Sequence, residues 1–99
     1  MWRDVVDLGN WVETIVHGEP IRAVTWTEVF ANRKSVRQSE FYSAANVGLR
    51  PELMFEVRSA EYLNHEKLRY NSVEYSIVRV YDKGETTELV VAAAVGTNG

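Results

Sequence analysis

The chain has 99 residues, a net charge of −3 and no cysteine. A chain of that length makes one domain with a modest core, burying about 60–70% of the surface its unfolded form exposes. The missing thiols exclude disulfide staples, thiolate metal sites and cysteine nucleophiles. The acidic balance argues against a dedicated nucleic-acid binder, which needs a basic face to neutralise phosphates. No apolar stretch reaches signal-peptide or membrane-spanning length, so no membrane role is expected.

From the N-terminus, residues 1–8 read as an arm or short helix in which Asp4 and Asp7 interrupt Trp2, Val5, Val6 and Leu8. Gly9-Asn10 is a turn signal. Residues 11–16, Trp-Val-Glu-Thr-Ile-Val, are β-branched and aromatic and predict a first strand. His17-Gly18-Glu19-Pro20 ends it, and residues 21–31 predict a second strand joined to the first as a hairpin. Residues 32–50 are polar and carry the basic cluster Arg33, Lys34 and Arg37. They read as one long loop, whereas most connections run about 4–6 residues. A helical turn capped by Ser39 and stopped by Gly48 fits inside it. Long loops on a rigid scaffold are where function tends to sit.

The second half is more regular. Leu53, Phe55 and Val57 alternate with Met54, Glu56 and Arg58, the period of a half-buried strand. A polar connection over residues 61–66 leads to a short strand at residues 67–70 and a turn at Asn71-Ser72. Residues 73–81 predict a strong strand, Asp82-Lys83-Gly84-Glu85 a hairpin turn, and residues 86–95 the last strand. About six strands punctuated by turns predict an all-β fold, a small antiparallel barrel with its long loop between strands two and three. The expected organisation is a single domain: arm 1–8, barrel 9–95 and tail 96–99. Its expected core includes Trp26, Phe55, Val57, Tyr75, Ile77, Leu89 and Val91.

Signatures of catalysis do not appear. No phosphate-binding glycine loop is present, and His65-Glu66 lacks the second histidine of a zinc-protease helix. His17 and His65 stand apart in connections, and the carboxylates are dispersed. No catalytic, metal or cofactor residue is assigned, and the chain is expected not to be an enzyme. Tyr42, Tyr62, Tyr70, Tyr75 and Tyr81 with Trp26 suggest base stacking on a barrel face, but Tyr75 and Tyr81 fall on an apolar strand face that favours core packing.

The order Gly18-Glu19, Trp26, Val29-Phe30-Ala31, then Glu40-Phe41-Tyr42 with Ala44, resembles the first half of the head–tail adaptor (head-closure, or stopper) family of tailed bacteriophages. Phe55-Glu56-Val57-Arg58, the short strand before Asn71, Tyr75 with Ile77, and Asp82 resemble its second half, so the likeness spans residues 9–94. The chain departs from the family's pattern in the basic Arg33-Lys34 pair and in the segment holding Trp2. The resemblance implies a non-enzymatic structural protein of a phage or prophage particle: a homo-oligomeric ring at the head–tail neck that closes the DNA-filled head and offers a docking surface to the tail. It implies a portal-adaptor ring and tail proteins as partners, double-stranded DNA passing through without specific binding, and residence in the host cytoplasm during assembly. It leaves open whether the free chain is a monomer. On this mapping, residues 33–50 form the channel-facing or assembly loop, with Arg33, Lys34, Arg37, Gln38, Glu40, Phe41, Tyr42 and Arg50 as its working residues. Two alternatives stand beside it. One is another neck component, such as a tail-completion protein. The other is an OB-like module binding single-stranded nucleic acid or a peptide through Arg33, Lys34 and Tyr42.

Overall fold

The computed structural model describes residues 2–37 and 51–93. These form six strands: β1 (Asp4–Val16), β2 (Glu19–Lys34), β3 (Pro51–Arg58), β4 (Lys67–Tyr70), β5 (Val73–Asp82) and β6 (Thr86–Ala93), with a single 3-10 turn at Ser59–Glu61. All neighbouring strands are antiparallel, and the order β1-β2-β3-β6-β5-β4 closes on itself as a barrel. The all-β architecture and strand count match the expectation from sequence.

Turn chemistry sets the hairpins. His17 and Gly18 at φ 51° and 80°, and Asn71 and Ser72 at φ 52° and 67°, are two-residue turns with both positions left-handed, the geometry that follows the natural twist of paired strands. Gly84 sits at φ 100° and its N–H donates to Asp82 Oδ1 at 2.8 Å.

Period-2 alternation builds the core. Val6 and Leu8 of β1, Val29 and Ala31 of β2, Phe55 and Val57 of β3, Leu68 of β4, and Leu89 and Val91 of β6 meet inside the barrel, with Tyr70, Tyr75 and Ile77 half-buried against them. The expected core residues are therefore inside, with one exception. Trp26 is outside, because it pairs with Gly9 on the outward face.

Gly9 also corrects the expected N-terminal arm. The chain does not turn at Gly9-Asn10. It runs straight through as β1 from Asp4, because Val6 and Leu8 supply two core positions that the barrel needs. Gly9 is the place where the Trp26 ring crosses the strand: a Cβ there would stand 2.7 Å from the ring and 2.8 Å from Val24 Cγ1. Replacing glycine by alanine inside a strand ordinarily gains about 0.5–1 kcal/mol. Gly9→Ala is instead expected to lose about 1–3 kcal/mol through overpacking. Urea unfolding of Gly9→Ala, alone and with Trp26→Ala, checks this; the second substitution should recover most of the loss.

A further correction concerns β5. The register slips between Ile77 and Arg79. One extra residue reverses the faces beyond it, so Tyr81 pairs with Glu88 on the outside rather than facing the core with Tyr75.

β1 and β2 outrun the barrel. β1 meets β4 only over Asp7–Gly9, and β2 meets β3 only from Ala31 onward. Beyond these points, among the described residues, the two strands pair only with each other, as a ribbon ending at His17-Gly18. The radius of gyration, 14.5 Å, exceeds the value of about 13 Å for a compact chain of this length.

Candidate functional site

Two features of the surface stand apart from ordinary barrel construction. The first is a buried charge on the outside of β6. Glu88 is 3% exposed and shares the outward face of β3 and β6 with Met54, Val90 and Ala92, apolar residues that are buried although they face away from the barrel interior. Arg37 Nη1 reaches Glu88 Oε1 at 2.9 Å, and Lys83 Nζ reaches Oε2 at 3.3 Å. Lys34 Nζ lies 3.8 Å from Glu88 Oε2 and 3.4 Å from Glu56 Oε2. The Arg37 guanidinium also faces the Tyr81 ring at 5.2 Å, a contact made possible by the β5 bulge. Burial alone would raise the Glu88 pKa, but the hydrogen bonds and charges of Arg37 and Lys83 hold it below the ordinary glutamate value.

This cluster revises the reading of residues 33–50. Arg33 and Lys34 are not loop residues; they end β2 and pair with Phe55 and Met54 of β3. The Arg33 N–H donates to Asp4 Oδ2 at 2.9 Å. Lys34 and Arg37 stay partly exposed but are held by carboxylates of the barrel wall. Together they fasten the chain to the barrel wall where β2 ends. Gln38, Glu40, Phe41, Tyr42 and Arg50, and the helical turn expected between Ser39 and Gly48, lie outside the described residues.

The second feature is the ribbon. Trp11, Val12, Ile15, Val16 and Ile21 are all exposed on it, Ile15 to 68%. Its outward face carries two tryptophans under cations. Arg22 lies 4.8 Å and Lys67 Nζ 5.5 Å from the Trp11 ring centre, and Arg69 lies 4.3 Å from that of Trp26. Arg69 Nε also bonds Asp7 Oδ2 at 3.1 Å. Such stacking orders the long cationic side chains while leaving guanidinium edges free to bond. The ribbon's other face continues the barrel's inner surface with Val12, Thr14, Val16, Ile21 and Ala23, none of which is buried. Sequence reading found both strands but not this exposure. β-branched residues in strands normally signal burial, and nothing local says that a strand runs past its neighbours.

Elsewhere, the connection over residues 59–66 is ordered around His65. Its Nδ1 accepts the Leu63 N–H at 3.1 Å, and its carbonyl accepts the Tyr62 hydroxyl at 3.0 Å. Burial lowers the His65 pKa, which suits a neutral ring acting as acceptor. Among the described residues no group of three or more histidines or carboxylates is arranged to hold a metal, and no helix is long and apolar enough to cross a membrane. No family model matches the chain, and no curated protein matches it.

Proposed function

We propose that this chain is a structural connector subunit of a phage or prophage particle, forming a ring at the head–tail neck that closes the DNA-filled head and presents a docking surface to the tail. The observation that carries the reading is the combination of a small closed barrel with a long ribbon whose apolar side chains are uncovered. A two-stranded ribbon is at best marginally stable alone in water, and exposed apolar surface of this extent belongs to interfaces. The order of motifs along residues 9–94 supplies the resemblance to head-closure proteins. The Glu88 cluster adds to it: Lys34 and Arg37 are anchored to the barrel wall where β2 ends, as the start of an assembly segment would need to be. The partners of such a subunit are further copies of itself, a portal-adaptor ring and tail proteins. Double-stranded DNA passes through its ring without specific contacts.

The test replaces residues 38–50 by a short Gly/Ser linker in the parent phage or prophage, keeping Arg33, Lys34 and Arg37. The expected result is a barrel with unchanged thermal melting, and particles that lose their DNA. Removal of the whole gene should leave heads beside detached tails in electron micrographs. Normal, DNA-retaining particles from the gene deletion would sink the connector reading. A second reading is favoured by Trp11, which is exposed with Arg22 and Lys67 beside its ring, an aromatic and cation pairing that suits stacking of a single-stranded base. Micromolar, salt-dependent binding of a labelled oligonucleotide by the purified chain would put that module ahead.

A further inference from the structure

β2 has an open edge. Between Glu19 and Phe30 it pairs with β1 alone among the described residues, since β3 joins it only from Ala31. The hairpin fixes which backbone groups that edge presents. Its two-residue turn makes Val16 and Glu19 the closing hydrogen-bonded pair, and bonded and non-bonded pairs then alternate along an antiparallel ladder. The odd-numbered residues of β2 therefore bond to β1, while Arg22, Val24, Trp26 and Glu28 turn their N–H and C=O groups to the open side. Two facts agree with this parity. Pro20, which has no N–H to give, stands at an outward-turned position. The carbonyl of Gly9, the residue opposite Trp26, points away from β2 and accepts the Glu66 N–H at 3.1 Å.

Edges of this length are normally blunted by charge, proline or a bulge. Here Pro20 blunts the tip, but the β1–β2 register runs without a shift, and one face of the edge is the exposed, uncharged row Ile21, Ala23, Thr25 and Thr27. At the base, where β3 leaves β2, lies a cleft of about 110 Å³ lined by Val5, Glu28, Val29, Phe30 and Glu61. One oxygen of Glu61 is buried without a hydrogen-bond partner, a condition that native proteins rarely leave unmet. Ion pairs among the described residues use Asp7, Glu56 and Glu88 but neither Glu28 nor Glu61. The other charges nearby do not reverse the sign. Asp7, opposite Glu28, is matched by Arg69, and Arg58, at the end of β3, lies over the Trp2 ring. At the tip, Glu13 and Glu19 outnumber Arg22.

We infer that the open edge of β2 is completed by an extended, cationic segment of a different protein, which adds antiparallel along Arg22 to Glu28 and seats a lysine or arginine at its N-terminal end in the cleft, against Glu28 and Glu61. An extended chain is the occupant because the edge offers main-chain groups in a row, and strand addition draws its affinity from those. The added strand takes up the line of β3, which already pairs antiparallel with the next stretch of β2. Its positive end follows from the two unpaired carboxylates, and small β-branched side chains on it suit the flat row from Ile21 to Thr27. A second copy does not fit, because edge to edge it would bring its own net-acidic tip to those carboxylates. The strand addition stands on the β2 edge and not on the connector reading, which leaves the mode of docking open.

The probe is a dye-labelled peptide that begins Lys-Arg and continues with alternating threonine and valine. A length of about ten residues reaches from the cleft to the tip at strand rise. The purified chain should bind it with micromolar affinity. Amide hydrogen exchange should then slow at Arg22, Val24, Trp26 and Glu28, while Ala23 and Thr25, already bonded to β1, stay as they were. A peptide beginning Glu-Glu should bind about tenfold more weakly. The Lys-Arg peptide N-methylated along its threonine–valine part, which cannot donate to the edge, should not bind. Val24→Pro removes an outward N–H without breaking a bond to β1, and should abolish binding while the chain still melts cooperatively; the methylated peptide makes the same test on the unaltered protein. No binding of the Lys-Arg peptide, or equal binding of its methylated form, overturns the inference. So does a free chain that self-associates with its Arg22 to Glu28 amides protected. The two readings fail separately. Peptide binding together with normal particles after gene deletion removes the connector function and keeps the strand addition. Heads beside detached tails without peptide binding do the reverse.

Discussion

Phe55→Ala is expected to bring the chain to the edge of unfolding. The Phe55 side chain is fully buried and stands at the centre of the barrel, its ring 4.9 Å from that of Tyr70 at an interplanar angle of 58°. It sits in the core cluster beside Leu89 of β6 and Tyr70 of β4, so several strands would have to shift to fill the space. Truncating a buried phenylalanine costs about 3–5 kcal/mol in lost transfer energy and unfilled cavity. A domain of this size has about 5–15 kcal/mol in total, so the loss consumes a large part of it. Phe30→Ala provides the comparison, since that ring is on the surface of the same barrel. Its effect on the isolated chain should stay within about 0.5 kcal/mol. Urea midpoints of the two variants measure the contrast, and equal midpoints would mean that the barrel interior is not packed around Phe55.

Glu88→Gln is expected to produce the second-largest loss, with a pH signature that packing variants lack. The carboxylate holds Arg37, Lys83 and Lys34 at 2.9, 3.3 and 3.8 Å. Removing one partner of a fully buried pair costs about 3–5 kcal/mol. Here the three cations remain 45%, 52% and 38% exposed and can rehydrate, so about 2–3 kcal/mol is the expected loss at neutral pH. The folded state holds the Glu88 pKa below the ordinary value of 4.5. The stabilisation is therefore complete above that value and disappears as the pH falls through the lower folded-state pKa. Wild type and Glu88→Gln should converge in melting temperature as the pH drops below 4.5, while Phe55→Ala keeps its deficit throughout. Parallel curves for Glu88→Gln would show that the cluster contributes by shape rather than charge.

The strands after residue 50 were legible because their signals are local. Leu53, Phe55 and Val57 alternate cleanly, and Gly84 marks its turn unaided. The misreadings share a non-local cause. Gly9 looked like a turn because glycine is read against its own neighbours, whereas its reason for being there is a tryptophan seventeen residues away in the chain, across the hairpin. The alternation of Val6 and Leu8 was available in the sequence but was outweighed by that glycine. Lys34 and Arg37 looked like a loop cluster because their partner, Glu88, lies 51 residues beyond Arg37 in the chain, on a strand that the barrel places just past β3. Tyr81 was assigned to the core by counting in twos, and a bulge at Val78 spoiled the count. The ribbon's surface was the least legible feature. Val12, Ile15 and Ile21 have the composition of buried strands, and only the finished topology shows that no neighbouring strand among the described residues covers them.

The seam where β1 meets β4 is three residues long and joins parts of the chain about sixty positions apart. Pairings this distant form late, since the entropy of closing the intervening chain must be overcome first. While the seam is open, the flanks of β1 and β4 present unsatisfied backbone groups to any passing strand. A newly made chain therefore spends its most vulnerable interval with its first and fourth strands apart. The rate of that closure, as well as the final stability of the barrel, is therefore expected to govern how much product escapes aggregation when synthesis is rapid.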